Sequence, residues 1–192
     1  MPSPIGHALG GIAAGWSVAP RRDRAAVWTL AIIGMAADVD LLFHAHRGAS
    51  HSIGAAVIVG MLVWSVTTRR WAIAATAAWS SHVLLDWLGE DTWPPIGIQA
   101  LWPFSDRYYQ SPLVIFPSVS RQYWLGWRFV YFNVKALAVE LLVLLPIAAL
   151  AVWVSTYRSP GRSSARDARP RPSAGGADTG DTSDHQDRRE AR

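Results

Sequence analysis

Long apolar runs free of charge constrain this chain more than any other feature of it. Residues 5–19, 25–37, 48–68, 71–85 and 141–157 contain no Asp, Glu, Lys or Arg, and short charged clusters separate them. A helix needs about 20 mainly apolar residues to cross a hydrocarbon core ~30 Å thick. Residues 52–68 and 136–154 come close to that length, with Glu140 the one charge in the second stretch. Residues 25–43 and 71–88 reach it if their acids lie inside the membrane or at its edge, and residues 5–19 are short. The runs lack a polar face at helical spacing, which points to lipid around them rather than water. The expected fold is therefore all-α: a multi-span transmembrane helical bundle of about five spans, occupying residues 1–157.

The overall charged fraction of 17% hides an uneven distribution, since 14 of the last 35 residues are charged against 18 of the first 157. Residues 158–192 have no aromatic and no apolar period, so they cannot bury enough surface to offset chain entropy. They read as a disordered cytoplasmic tail. The basic residues Arg21, Arg22, Arg24, Arg69 and Arg70, with Arg158 at the start of the tail, fall on one side of a five-span arrangement, and the positive-inside rule makes that side cytoplasmic. The N-terminal run is not a cleaved signal, because its arginines follow the apolar stretch instead of preceding it. Residues 89–133 then form an outer loop rich in aromatics: Trp93, Trp102, Phe104, Tyr108, Tyr109, Phe116, Tyr123, Trp124, Trp127, Tyr131 and Phe132. Such rings favour the membrane interface, which suits a lid on the outer surface.

Ionisable groups inside or at the ends of spans are costly and need partners. Here they are His7, Asp38, Asp40, His51, His82, Asp86 and Glu140. In the five-span reading the first six all gather at the non-cytoplasmic end. His82 and Asp86 are four apart and project from one helix face toward a common point. Asp38 and Asp40 diverge by about 200° on a regular α-helix, so one is a ligand and the other a supporting or capping group unless the helix unwinds there. Before His51, Gly48 permits a turn and Ser50 is placed to cap the next helix. Several carboxylates with no Lys or Arg inside the spans would be unpaired or protonated, and a bound metal removes that difficulty. The chain has no Cys, so any metal rests on His, Asp and Glu, and neither a disulfide nor a cysteine nucleophile is available. The sequence pI is about 10, yet no basic stripe interleaves with aromatics, so nucleic acid is not an expected partner.

The order His7, Asp38-Val39-Asp40, His46-Arg47-Gly48-Ala49-Ser50-His51-Ser52 and His82-Val83-Leu84-Leu85-Asp86 resembles the YdjM-like family, inner-membrane-associated metal-dependent hydrolases also labelled LexA-binding. The likeness covers most of residues 1–110, including Leu101-Trp102-Pro103-Phe104-Ser105, and departs at Ala37, where the family usually has Pro. No segment reads as a repressor-contacting motif. That family is in turn similar to zinc-dependent phospholipase C and P1-type nucleases. The resemblance implies a main metal site of Asp38 or Asp40 with His51, His82 and Asp86, and a neighbouring ion at His7 bridged by Asp86. No His lies between His82 and His185 to match the further ligands of those enzymes.

The function expected is a membrane-bound hydrolase of a phosphoester or phospholipid at the non-cytoplasmic face. One or two divalent ions, zinc foremost, would activate water. Asp38 or Asp40 would orient or deprotonate that water, and Arg47 would hold a phosphate oxygen. The expected partners are the lipid bilayer and that substrate. Two alternatives use the same residues: a metal or proton transporter or relay, and a non-catalytic membrane scaffold with a structural metal site.

Overall fold

A computed structural model describes residues 1–43, 47–120, 124 and 126–157. The tail at 158–192, and Tyr123 of the aromatic segment, lie outside the described residues. Among the described residues five α-helices follow in order: α1 (Pro4–Trp16), α2 (Arg24–Met35), α3 (Ile53–Val66), α4 (Arg69–Trp87) and α5 (Trp127–Tyr157). Two 3-10 segments, Ala36–Phe43 and Ala49–His51, separate α2 from α3. The all-α expectation matches this architecture.

Each of the first four helices starts at a polar cap that supplies an acceptor to otherwise orphaned backbone donors. Ser3 accepts from Gly6, Asp23 from Ala26, Ser52 from Ala55 and Thr68 from Trp71. Pro4 occupies the first turn of α1, where its missing N–H costs nothing. The cap of α3 is thus Ser52, and Ser50, expected in that role, sits inside the preceding 3-10 turn.

The five-span bundle is not what these residues build. Among the described residues one helix, Trp127–Ser155, is long and apolar enough to cross a membrane. The apolar runs at 5–19, 25–37 and 48–68 are longer than the helices they form, because caps and 3-10 turns cut them. The run at 25–37 stops as α-helix at Met35, and that at 48–68 contributes only the 14 residues of α3. Helices of 12 to 14 residues rise about 18–21 Å, short of a ~30 Å core. α4 has 19 residues, but it opens on Arg69-Arg70 and carries Thr76, Ser80, Ser81, His82 and Asp86, too polar for a span by composition. The sidedness deduced from counting five crossings falls with that count.

α1 packs on α2, α4 and α5, and α3 packs on α4. Small residues allow the closest approach. A Cβ on Gly11 would lie 2.5 Å from the Leu30 carbonyl oxygen and 2.9 Å from the Gly34 Cα, so α1 and α2 touch backbone to backbone. Trp16, Ala26, Leu30, Ala74 and Ala78 bury one core beside this contact, and Leu85, Phe116 and Leu144 bury a second where α4 and α5 meet the long loop. That loop, between α4 and α5, is tied to the helices at several points. The Ile53 N–H donates to the Ala100 carbonyl, the Glu90 N–H to the Phe116 carbonyl, and Asn133 brackets Ser120 through both its amide atoms. On α5 the side chains of Leu142, Leu145, Ile147, Leu150 and Trp153 face outward, as lipid contact requires.

Candidate metal centre

The close α1–α2 contact sets the site. It holds His7, one turn into α1, against the end of α2, where the chain continues as the 3-10 segment bearing Asp38 and Asp40. α4 brings His82 and Asp86 from the opposite side, and the 3-10 turn before α3 brings His51. His7, His51 and His82 are fully buried, Asp86 is 2% exposed, and the Asp38 side chain is 22% exposed. Asp38 is therefore the member of this group that opens toward solvent. Ala36–Phe43 winds as a 3-10 helix, tighter than α, on which Asp38 and Asp40 still point apart, and the two carboxylates take different tasks.

Four ligand atoms stand at nearly equal separations. The His51 Nε2 is 3.5 Å from Asp38 Oδ1 and 3.2 Å from Asp86 Oδ2, and the His82 Nε2 is 3.6 Å and 3.2 Å from the same two oxygens. Ligands ~2.0–2.2 Å from one tetrahedral centre stand about 3.3–3.6 Å apart. The remaining oxygens of both carboxylates face a third imidazole, with His7 Nε2 3.3 Å from Asp86 Oδ1 and 3.9 Å from Asp38 Oδ2. His7, Asp38, His82 and Asp86 each offer an atom within 4.8 Å of the others, so the cluster could hold a metal ion.

A purely hydrogen-bonded polar cluster would leave a different pattern. In that case each buried nitrogen would aim at one oxygen with hydrogen-bond geometry. Instead the Nε2 atoms of His7 and His82 and both oxygens of Asp86 are buried without a hydrogen bond, although charge-complementary atoms lie 3.2–3.6 Å away. Atoms that converge on a shared centre rather than on one another fit a cation between them. The residues present fit a nitrogen- and oxygen-ligated ion.

Supporting contacts orient two of the three imidazoles. The His82 Nδ1–H donates to the Gly34 carbonyl at 2.8 Å, which leaves the Nε2 lone pair directed into the cluster. The His51 Nδ1 lies 3.1 Å from Asp40 Oδ2, an oxygen that also accepts from the Ser50 hydroxyl at 2.6 Å. Asp40 therefore backs His51. The rings pack on one another, His7 stacked on His82 at 3.7 Å between centroids and His51 edge-on to His82 at 4.8 Å.

The electrostatics follow from this packing. Burial alone would lower the His51 pKa, but hydrogen bonds to Asp38 and Asp40 outweigh it and push it up to about 9. Burial would likewise raise Asp86, yet His7 and His82 beside it hold its carboxyl well below the usual range. Asp38 is shifted the same way, burial being overcome by His51, His82 and His7.

Arg47, expected to face a phosphate, is turned elsewhere. Its Nη1 donates to Asp91 Oδ2 at 2.6 Å and to the carbonyls of Trp93 and Pro95, and its backbone is left-handed with φ 74°. Asp91 also accepts from the Gly97 N–H, so this pair ties the start of the long loop to the turn before His51. Reading the sequence alone missed the Gly34 carbonyl, the Ser50–Asp40 bond and Asp91. Of these only Asp91 carried a signal, an acid available to the otherwise unpaired Arg47.

No curated protein and no solved structure matches the chain. The model of the YdjM inner membrane protein family matches residues 1–159, which span α1 to α5 and every member of the cluster. With its membrane-length helix and its buried His/Asp centre, the chain belongs to the family of YdjM inner membrane proteins.

Proposed function

We propose that this protein is a membrane-bound, metal-dependent hydrolase of a phosphoester, with a phospholipid as the substrate class nearest to hand. The observation that carries this reading is the ring of near-equal separations among His51, His82, Asp38 and Asp86, joined by His7 on the far oxygens of both carboxylates. Three imidazoles and two carboxylates without a thiolate suit zinc, and His7, His51, His82, Asp38 and Asp86 would hold one or two such ions. Such an ion supplies Lewis-acid polarisation of a phosphoryl oxygen and lowers the pKa of water toward ~7.

The chain's own residues do the rest. His51 and His82 keep their Nε2 atoms on the cluster because Asp40 and the Gly34 carbonyl hold the opposite nitrogens. Asp86, buried and fixed between α1 and α4, balances charge. Asp38 stands at the solvent-exposed side; were the ion held through its Oδ1, its Oδ2 would be free to orient the attacking water and take up its proton. Arg47 and Asp91 keep the long loop against this end of the molecule. A hydrolase anchored by α5 meets its substrate at the membrane surface, which favours a phospholipid over a soluble ester.

The full chain, purified in detergent, is expected to carry one or two equivalents of zinc by elemental analysis. It is also expected to hydrolyse an aryl phosphodiester or phospholipid vesicles. His82→Ala and Asp86→Ala are each expected to lose most of the metal and at least 100-fold in rate. Full metal content in both variants, or metal-loaded wild-type protein that cleaves neither substrate, would overturn the reading.

A further inference from the structure

His7 differs from the other two imidazoles of the cluster. Neither of its ring nitrogens makes a hydrogen bond among the described residues, whereas His51 is backed by Asp40 and His82 by Gly34. Its place in the cluster is therefore set by its stack on His82 and by where α1 itself stands.

The N-terminus of α1 is held by a residue of the membrane helix. Glu140 lies near the middle of α5 and is fully buried. Its Oε1 accepts the Ser3 N–H at 2.7 Å, and its Oε2 accepts the Ser3 hydroxyl. Ser3 caps α1: its hydroxyl accepts the Gly6 N–H at 3.2 Å, and its carbonyl accepts the His7 N–H at 3.1 Å. An acidic group at this end of a helix is favoured by the exposed N–H donors and the helix dipole. Fit is tight as well, since a Cβ on Gly6 would come within 2.7 Å of Oε2. A carboxylate in the interior of an apolar helix is expensive without partners, and here Ser3 and the start of α1 supply them.

We infer that Glu140 is a positioning residue that couples the membrane-spanning helix to the metal centre, fixing the height of α1 and through it the location of His7. The inference rests on the metal reading for its ligand but also has consequences in metal-free protein. Contacts that orient a ligating histidine are typically worth about 10–100-fold in metal binding, which bounds the effect of displacing His7 through Ser3 and α1.

The test uses the full chain in detergent and zinc affinity measured by competition with a chromophoric chelator. Glu140→Gln is expected to lower affinity about 10–100-fold, and Ser3→Ala, a milder change in the same chain of bonds, to lower it less. In a His7→Ala background Glu140→Gln is expected to add no further loss, because its effect runs through His7. A purely structural role would give the same further loss in that background. In metal-free protein with ¹⁵N-labelled histidine, Glu140→Gln is expected to shift the ring signals of His7 more than those of His51. Wild-type zinc affinity in Glu140→Gln, a loss that persists undiminished in the His7→Ala background, or His7 signals that do not move would each overturn the inference. Wild-type protein that binds no zinc but shows the His7 shift would sink the metal reading and leave the coupling standing.

Discussion

His51 sits between two carboxylates that do different things. Asp38 faces its Nε2 and Asp40 its Nδ1, and together they raise its pKa from the usual 6.5 to about 9. A group raised on folding contributes stability that is fully present below its unfolded pKa and is lost as pH rises through the folded value. Metal-free protein is therefore expected to lose stability between about pH 6.5 and 9. A metal must displace the same proton, so zinc affinity is expected to rise with pH over that interval, with close to one proton released per ion bound at pH 7.5. Thermal denaturation with chelator or with zinc, and calorimetry in two buffers of different ionisation enthalpy, check both signs. A flat profile in the two conditions would count against this assignment of His51. Asp40→Asn keeps the shape but weakens the hold on Nδ1, and is expected to cost about 10–100-fold in zinc affinity. All six metal-ligand candidates were legible as residues that cannot stand alone in apolar surroundings. The division of labour between Asp38 and Asp40 was legible from their spacing; which of them supports was not, because Asp40 meets the His51 Nδ1 only once the segment before His51 has folded back.

Elements position these residues mainly by how closely they approach. α1 and α2 meet at Gly11 and Gly34, and the Gly34 carbonyl at this contact is the partner of His82. A Cβ at Gly34 would lie 2.5 Å from the His7 carbonyl oxygen, a clash with backbone that no rotamer relieves. Gly34→Ala is expected to destabilise the fold by about 1–3 kcal/mol and to weaken zinc binding, since it moves His7 and the support of His82 together. Chemical denaturation and chelator competition on one preparation measure both. A variant with unchanged metal affinity would mean the contact does not set the site. The one helix start read from the sequence, Ser50 for α3, lies two residues before the actual cap Ser52, and the ends were no easier to place. α2 stops at Met35 inside an uncharged run, and nothing in that run's composition marks the change from α to 3-10 winding.

At the scale of the whole molecule, α5 is, among the described residues, the helix long and apolar enough to cross a membrane, and the remaining helices carry the site. Arg22 donates to the Ser155 carbonyl at one end of α5, Glu140 holds Ser3 near the middle, and Asn133 brackets Ser120 at the other end, so the anchor is tied to the rest along its length. Leu142, 76% exposed near the centre of α5, is placed where lipid should surround it. Leu142→Arg is expected to cost insertion about 3 kcal/mol and to raise the fraction of chain released by alkaline extraction of membranes. Unchanged retention would argue against α5 as the spanning helix. Local chemistry determined much here. Uncharged apolar runs wind into helices in spite of the glycines of α1 and Pro146 of α5, the absence of Cys restricts a metal to nitrogen and oxygen ligands, and a His four residues before an Asp places both on one helix face. The number of membrane-length helices, the roles of Asp38 and Asp40, the commitment of Arg47 to Asp91 and the docking of Glu140 on Ser3 were decided only in three dimensions. The last three depend on contacts between separate segments and the first on caps and 3-10 turns that cut the apolar runs, and hydropathy reports on neither.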